Sequence, residues 1–136
     1  MDELKSASAI AVSGMNAQAR RLRVVAENMA NADSLPQAPG AEPYRRKIVT
    51  FKTELDRSNG TNLVKVANVS QDQSDLARKF DPSHPAADRE GYVLAPNVNP
   101  LIELMDMREA QRSYEANMNV ISASKSMLSK TIDMLR

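Results

Sequence analysis

The sequence lacks the residues on which most small active sites are built. It has no cysteine and no tryptophan, and His84 is its single histidine. Without cysteine the chain can form neither a disulfide framework nor a thiolate metal site. It also has no glycine-rich phosphate loop, no nucleophile elbow and no histidine pair for zinc. We therefore predict a protein that is not an enzyme, with no catalytic residue, no cofactor and no metal ligand.

Long apolar runs and an excess of one charge are also missing. The longest apolar run near the N-terminus is Ala9–Val12, whereas a membrane helix needs about 20 such residues. The opening MDELKS is acidic and no signal-peptide core follows it, so a cleaved secretory signal is not expected. With 18 basic and 17 acidic residues the net charge is +1, which gives no electrostatic footprint for nucleic acid or for a membrane surface.

Both ends of the chain read as long amphipathic helices, over residues 3–31 and 101–135. Each carries apolar residues at alternating spacings of three, four and seven, as in a coiled-coil seam. We predict that these residues form subunit interfaces. They are Leu4, Met15, Leu22, Val25 and Met29 in the first helix, and Met107, Tyr114, Met118, Ile121, Leu128, Ile132 and Leu135 in the second. A flanking strip in the second helix is formed by Val120, Met127 and Met134.

The middle of the chain reads as a loop followed by a β-hairpin over about 44–71. Alternating side chains predict its first strand, and Asn59-Gly60 is a strong hairpin turn signal. Residues 72–90 are predicted to be an irregular loop, and residues 91–95 a short strand. The fold class is therefore α+β, in which long terminal helices pair as a coiled coil around a small middle segment that contains the hairpin.

This interpretation divides the chain into an N-terminal helix (1–33), a middle segment (34–99) and a C-terminal helix (100–136). Four of the five aromatic residues lie in the middle segment, so we expect any compact core there. Asn31 or Asp33 is expected to adopt the left-handed conformation that commonly ends a helix.

Several polar groups allow more than one interpretation. His84 with Asp81 and Asp88 could act as a general base or metal ligand in a small hydrolase, although a structural role in a proline-flanked loop is preferred. The basic clusters Arg20, Arg21 and Arg23, and Arg45, Arg46 and Lys47, form either a solvated face or a salt-bridging rim towards another subunit. Asn117 is either a polar register marker in the seam or an exposed residue at its edge.

Five blocks of the sequence, in order along the whole chain, resemble the flagellar basal-body rod proteins of bacteria. They are SGMNAQARRLRVVAENMANADS (13–34), PYRRKIVTF (43–51), DPSHPAAD (81–88), GYVLAPNVNP (91–100) and EAQRSYEANMNVISASKSMLSKTIDML (109–135). The first block is shared loosely by axial proteins of the rod and hook. The GYVLAPNVNP block is more specific and resembles a proximal-rod member of the family.

The resemblance implies a structural subunit that polymerises helically through its terminal helices into the torque-transmitting rod in the periplasm. It implies export without a cleaved signal through the flagellar type III apparatus. The implied partners are copies of the chain itself and the rod proteins FlgB, FlgF, FlgG and FliE, with no nucleic acid and no direct membrane span. The alternatives are another axial rod component or a cytoplasmic coiled-coil adaptor.

Overall fold

The computed structural model describes residues 2–136 and contains two long helices and four strands in that part of the chain. The elements follow in the order α1 (Asp2–Ala30), β1 (Lys47–Asp56), β2 (Thr61–Gln71), β3 (Ala77–Phe80), β4 (Tyr92–Ala95) and α2 (Pro100–Met134). The predicted α+β class is confirmed, and both predicted helices lie within one residue of the observed bounds.

The chain folds into two compact units, each built from segments that are distant in sequence. One unit comprises Met1–Leu22, Val49–Asn68 and Arg108–Arg136, and the other comprises Arg23–Ile48 and Val69–Met107. Each long helix therefore contributes to both units.

In the unit that contains the two chain ends, α1 and α2 lie side by side and run in opposite directions. Three contacts establish this, because residue numbers rise along α1 as they fall along α2. In order along α1 the paired residues are Leu4 with Leu128 in a shared cleft, Gly14 with Asn117, and Arg21 with Glu109 in an ion pair of 3.4 Å.

The covered face of α2 in this unit alternates large and small residues at coiled-coil spacing. Its buried or half-buried positions follow one another at intervals of four and three residues, as a heptad seam requires. The large column consists of Tyr114, Ile121 and Leu128, and the small or polar column consists of Ala110, Asn117 and Ser124. Asn117 is thus half-buried against Gly14 and is not simply exposed.

The predicted hairpin is present, but its turn differs from the two-residue Asn-Gly type. The connection between β1 and β2 has four residues, and only Gly60 takes a positive φ, of 64°. The carboxylate of Asp56 organises the turn by accepting hydrogen bonds from the N–H of Ser58 (3.0 Å) and from Nδ2 of Asn59 (3.1 Å). The hairpin is attached to α1, since the N–H of Val64 donates to Oγ of Ser13 (3.2 Å).

Two local predictions are wrong. Residues 72–90 are not entirely irregular, because β3 lies within them and pairs antiparallel with β4, from Ala77 opposite Ala95 to Phe80 opposite Tyr92. All four residues of β3 are exposed, so the strand leaves no alternating hydrophobic pattern in the sequence. Likewise, no non-glycine residue in 2–136 has a positive φ; at the end of α1 the Asn31 side chain instead donates to the Glu27 carbonyl (2.9 Å).

Buried apolar residues lie in the middle segment, as predicted, and also in the two helices. Among the described residues those of the helices are Ala11, Ala17, Val24, Val25 and Ala110, and those of the middle segment are Pro36, Pro43, Ala86, Val93 and Pro96. Phe51, Phe80 and Tyr92 are exposed on the strands. Small side chains allow helix backbones to approach closely, so the helices bury area without aromatic residues.

The Gly14–Asn117 contact yields a first prediction. A Cβ at position 14 would lie 2.8 Å from Nδ2 of Asn117, although alanine is favoured over glycine inside a helix by about 1 kcal/mol. In an Asn117→Ala background, Gly14→Ala should therefore stabilise the protein by about 1 kcal/mol. In the wild-type background the same change should stabilise less or should destabilise. Chemical unfolding followed by circular dichroism measures all four variants, and an equal effect in both backgrounds would show that the two residues do not press together.

Candidate functional site

A buried asparagine lies at the centre of the unit formed by Arg23–Ile48 and Val69–Met107. Asn28 of α1 is 1% exposed, and its amide makes four hydrogen bonds. Nδ2 donates to the carbonyl of Lys47 (2.9 Å) and to Oε2 of Glu103 (3.2 Å). Oδ1 accepts from the N–H of Lys47 (2.9 Å) and from the hydroxyl of Tyr44 (2.6 Å). The hydrogen-bonding capacity of the amide is thereby filled, and Asn28 holds the first residue of β1 as a neighbouring strand would.

Glu103 in the first turn of α2 is completely buried, with an exposure of 0%. Its Oε1 accepts a hydrogen bond from Nε of Arg46, and the same guanidinium donates to Asp106 (3.2 Å). Asp72 lies 3.7 Å from Nη1 of Arg46 and completes a set of three carboxylates around one cation. A buried carboxylate needs such partners, because removal from water costs several kcal/mol that only a close counter-charge and hydrogen bonds can offset.

The loop before α2 joins this cluster through Asn97. Its Oδ1 accepts from the N–H of Arg46 (2.7 Å), and its Nδ2 donates to the carbonyl of Asp72 (3.0 Å) and to Oγ of Ser74 (3.0 Å). We call Asn28, Tyr44, Arg46, Asn97 and Glu103 the polar junction. It brings together the end of α1, the start of β1, the segment after β2 and the start of α2.

The surroundings of the polar junction shift the pKa values of Arg46, Asp72 and Tyr44. Burial lowers the pKa of Arg46, but its hydrogen bond to Glu103 and the nearby carboxylates outweigh burial and raise that pKa above its ordinary value. Hydrogen bonds from Ser74, with the charge of Arg46, lower the pKa of Asp72. Burial, with the negative charges of Glu27 and Glu103, raises the pKa of Tyr44 to about 12. Arg46 and Asp72 therefore stay ionised and Tyr44 stays neutral at neutral pH. They hold segments together and do not exchange protons.

The polar junction corrects the interpretation of the basic clusters. Arg46 was expected on a solvated face or on a rim towards another subunit, and Arg21 likewise; both instead pair with acidic residues of their own chain. A sequence signal for the polar junction does exist at Glu103, which lies four residues before Met107 and therefore in line with the apolar stripe of α2. A polar residue at such a position indicates either a buried network or an imperfect stripe, and the sequence does not say which. Asn28 lies beside the stripe of α1, next to Met29, and gives no such signal.

The residues predicted for the subunit interface fall into two groups in the structure. Covered or partly covered within the chain are Val25, Leu4, Met15, Leu22, Met29, Met107, Tyr114, Ile121 and Leu128. Exposed are Met118, Ile132 and Leu135. The flanking strip is exposed as well: Val120, Met127 at 55% and Met134 at 81%. The interface assignment itself stays a prediction.

A groove lies between α1 and β2 in the unit that contains the chain ends. Its volume is about 660 Å³, and its walls include Val12 and Ala17 of α1 and Leu63 and Val66 of β2. Val12 is 46% exposed at this groove. The basic residues Arg20 and Lys65 also line the groove, but its walls are otherwise largely apolar, which suits the packing of another apolar surface.

His84 takes part in the hydrogen bonding of the loop between β3 and β4. Its Nδ1 accepts a hydrogen bond from the N–H of Ala86 (3.0 Å), which stabilises the loop. In the part of the chain that the structure describes, no three histidine, cysteine or carboxylate side chains come together as a metal site. Within the same residues, neither helix combines the length and hydrophobicity that a membrane-spanning segment requires.

Two long terminal helices and a hairpin-containing middle describe the fold, and comparison with known proteins specifies the class of protein. The family model described as "Flagella basal body rod protein" matches residues 9–34, and "Flagellar basal body rod FlgEFG protein C-terminal" matches residues 89–134. The chain therefore has both terminal signatures of the flagellar rod proteins.

Full-length relatives narrow the class further. Proteins named "Flagellar basal-body rod protein FlgC" are 52% identical in Agrobacterium fabrum, over 100% of this chain and 98% of the relative, and 42% identical in Salmonella typhimurium, over 92% of each. The Bacillus subtilis protein of the same name is 37% identical, over 92% of this chain and 93% of the relative. The chain belongs to the FlgC family of flagellar basal-body rod proteins. It is a structural subunit of the rod and not an enzyme.

The four hydrogen bonds of the Asn28 side-chain amide yield a second prediction. Asn28→Ala removes a hydrogen-bond partner from the carboxylate of Glu103, from the hydroxyl of Tyr44, and from both the N–H and the carbonyl of Lys47. Each unpaired buried group costs roughly 1–3 kcal/mol. We expect the free energy of unfolding to fall by about 3 kcal/mol in total, allowing for partial rescue by water. The matched control is Asn16→Ala, an exposed asparagine of the same helix, which should change stability by less than about 0.5 kcal/mol. Equal effects of the two changes would refute a special role of Asn28.

The raised pKa of Tyr44 yields a third prediction. The folded state disfavours the phenolate, so Tyr44 contributes stability that is fully present below about pH 10, the ordinary pKa of tyrosine. That contribution is lost as the pH rises towards the folded-state pKa of about 12. Tyr44→Phe should be less stable at neutral pH by about 1 kcal/mol, because it loses the hydrogen bond to Asn28. It should also lose less stability than the wild type at alkaline pH. Unfolding free energies measured across this range test the difference, and parallel curves would contradict it.

Proposed function

We propose that this rod subunit polymerises helically through α1 and α2, which pair as a coiled coil within each subunit. The antiparallel contacts between the helices and the heptad spacing of the covered face of α2 support the pairing. The alternation of large and small columns also favours it, because small residues let the helices approach closely while large ones fill the seam. In this proposal the residues that lie in the seam within the chain, such as Leu22 and Ile121, hold the two helices together.

The observation that carries the proposal is the amount of apolar surface that α2 leaves uncovered. Met118, Val120 and Met127 all face solvent, and the last turns add Ile132, Met134 and Leu135. Val120, Met127 and Met134 follow one another at intervals of seven residues and so form a strip along one side of α2. Lone soluble subunits rarely expose such a strip, and apolar patches of this kind mark interaction sites. We therefore assign these residues to contacts with neighbouring subunits. Methionine suits such contacts because its flexible side chain adapts to neighbours that differ in sequence.

The groove between α1 and β2 is the surface that we propose receives this strip. A groove on one face and a strip on another make a heterologous contact, in which one subunit presents the strip and the next presents the groove. Repeated around a rotation that does not close, such a contact builds a helical filament. In the finer division of the chain, residues 1–33 and 100–136 form the assembly layer and residues 34–99 form the middle segment around it.

The finer location and partners belong to the same proposal. We place the subunit in the periplasmic rod, exported through the flagellar type III apparatus and transmitting torque as part of the drive shaft. Its neighbours there are copies of itself and the rod proteins FlgB, FlgF, FlgG and FliE. The family membership supports assembly with rod components, and recovery of the chain in purified basal bodies would separate this placement from that of a cytoplasmic coiled-coil adaptor.

The exposed strip and the groove yield a fourth prediction. Met127→Asp places a negative charge on the strip, and Val12→Lys adds a positive charge to the groove, which Arg20 and Lys65 already line. Each should abolish motility in a strain that lacks the native protein, because burying an unpaired charge costs several kcal/mol. Neither should change the circular dichroism spectrum of the purified subunit, since both side chains are exposed.

The matched control for Met127→Asp is Ser126→Asp, which adds the same charge at an exposed position beside the strip and should leave cells motile. Swarming on soft agar and the amount of each variant in isolated basal bodies provide the readouts. A motile Met127→Asp strain would exclude the strip as an interface, and a non-motile Ser126→Asp strain would show that any added charge on this helix is harmful.

A further inference from the structure

The turn between β1 and β2 contains an asparagine followed by a glycine in an unusually open setting. Asn59 and Gly60 are both exposed, and no atom lies within 4 Å of the place that a Cβ of Gly60 would occupy. The hydrogen bonds of this turn are made by Asp56, Ser58, Asn59 and Thr61. Among the described residues, none of these bonds uses the N–H of Gly60.

We propose that Asn59 is a site of self-catalysed deamidation in the folded subunit. The backbone nitrogen of Gly60 attacks Cγ of Asn59, and a new N–Cγ bond closes a five-membered succinimide. The bond between Cγ and Nδ2 breaks, and the proton lost by Gly60 leaves with Nδ2 as ammonia. Water then opens the ring at either carbonyl and gives aspartate or isoaspartate. The reaction needs no oxidant or reductant, and its only co-reactant is water.

Two features favour this position over other exposed asparagines of the hairpin. Asn62 and Asn68 are also exposed, but both lie within β2 and precede Leu63 and Val69. A bulky following side chain crowds the attacking nitrogen, and the strand holds its backbone extended. Gly60 has no side chain and tolerates the backbone angles that ring closure requires. The comparison separates the chemistry of the Asn-Gly pair from exposure alone.

Deamidation would disturb the hydrogen bonds that shape the turn. The Asp56 carboxylate accepts from Oγ of Ser58 (2.6 Å) and from its N–H (3.0 Å), as well as from Nδ2 of Asn59 (3.1 Å). These bonds hold the pKa of Asp56 below its usual range, those from Ser58 first. The reaction removes the donor from Asn59 and puts a second carboxylate in its place, so two negative charges would face each other. The isoaspartyl product also adds a methylene to the backbone of the connection.

The test uses the full-length purified subunit, incubated at mildly alkaline pH and digested at intervals for mass spectrometry. We expect the mass gain of amide-to-acid conversion to accumulate at Asn59 roughly tenfold faster than at Asn62 or Asn68, because only Asn59 precedes glycine. Isoaspartate at position 59 should be detectable by enzymatic methylation of its carboxylate, and Asn59→Gln should abolish that signal. A rate at Asn59 no higher than at Asn62 and Asn68 would overturn the proposal, as would an isoaspartate signal that persists in Asn59→Gln.

Discussion

The ion pair between Glu103 and Arg46 is the constraint around which its unit is built. A carboxylate with no exposure to solvent cannot remain charged without close partners, and here the guanidinium and the amide of Asn28 supply them. Because each partner belongs to a different segment, satisfying one side chain fixes the relative positions of all of them. The end of α1, the start of β1 and the first turn of α2 are therefore held by directional bonds, where a purely apolar contact would allow them to slide.

The rest of α2 follows a different rule. Along its covered face, Ala110, Asn117 and Ser124 alternate with Tyr114, Ile121 and Leu128, so the contact with α1 is close but narrow. A narrow contact hides only one stripe of the helix. Val120, Met127 and Met134 lie outside that stripe and stay exposed because nothing in their own unit is wide enough to cover them. The uncovered surface is thus a consequence of the narrow contact between α1 and α2.

The parts of this structure that could be predicted from sequence are those with many residues contributing to one pattern. The two helices and the β1–β2 hairpin each extend over ten or more residues, so periodicity accumulates and the bounds come close. β3 has four residues, all exposed, and its existence depends on pairing with β4 rather than on its own composition. The prediction that α1 ends in a residue with left-handed backbone angles was wrong for a similar reason. A single hydrogen bond from the side chain of Asn31 to the Glu27 carbonyl is found at the helix end instead.

Arg46 shows why the polar junction could not be read from the chain. It lies in a run of three basic residues that looks like solvated surface, and its partners Glu103 and Asp106 lie nearly sixty positions away in sequence. Only Glu103 gave a local hint, because it interrupts the apolar stripe of α2. The same kind of interruption at Gln18 leads to a different outcome, since its buried side-chain oxygen has no hydrogen-bond partner among the described residues. A polar residue in a stripe therefore marks a position where packing and hydrogen bonding compete, and the fold decides which of them prevails.

Different parts of α2 make different kinds of contact. Its first turn is held by directional polar contacts, and its middle packs against α1 through alternating large and small residues. The strip formed by Val120, Met127 and Met134 stays exposed among the described residues. Directional hydrogen bonds and ion pairs fix a single arrangement of the segments but tolerate few substitutions. Exposed methionine and valine side chains can pack against surfaces of different shape, because apolar contacts have little directionality. A rod subunit needs both properties, because its own shape must be defined while its neighbours can differ. The polar junction and the exposed strip involve different residues of α2, so substitutions in the exposed strip need not disturb the contacts that shape each subunit.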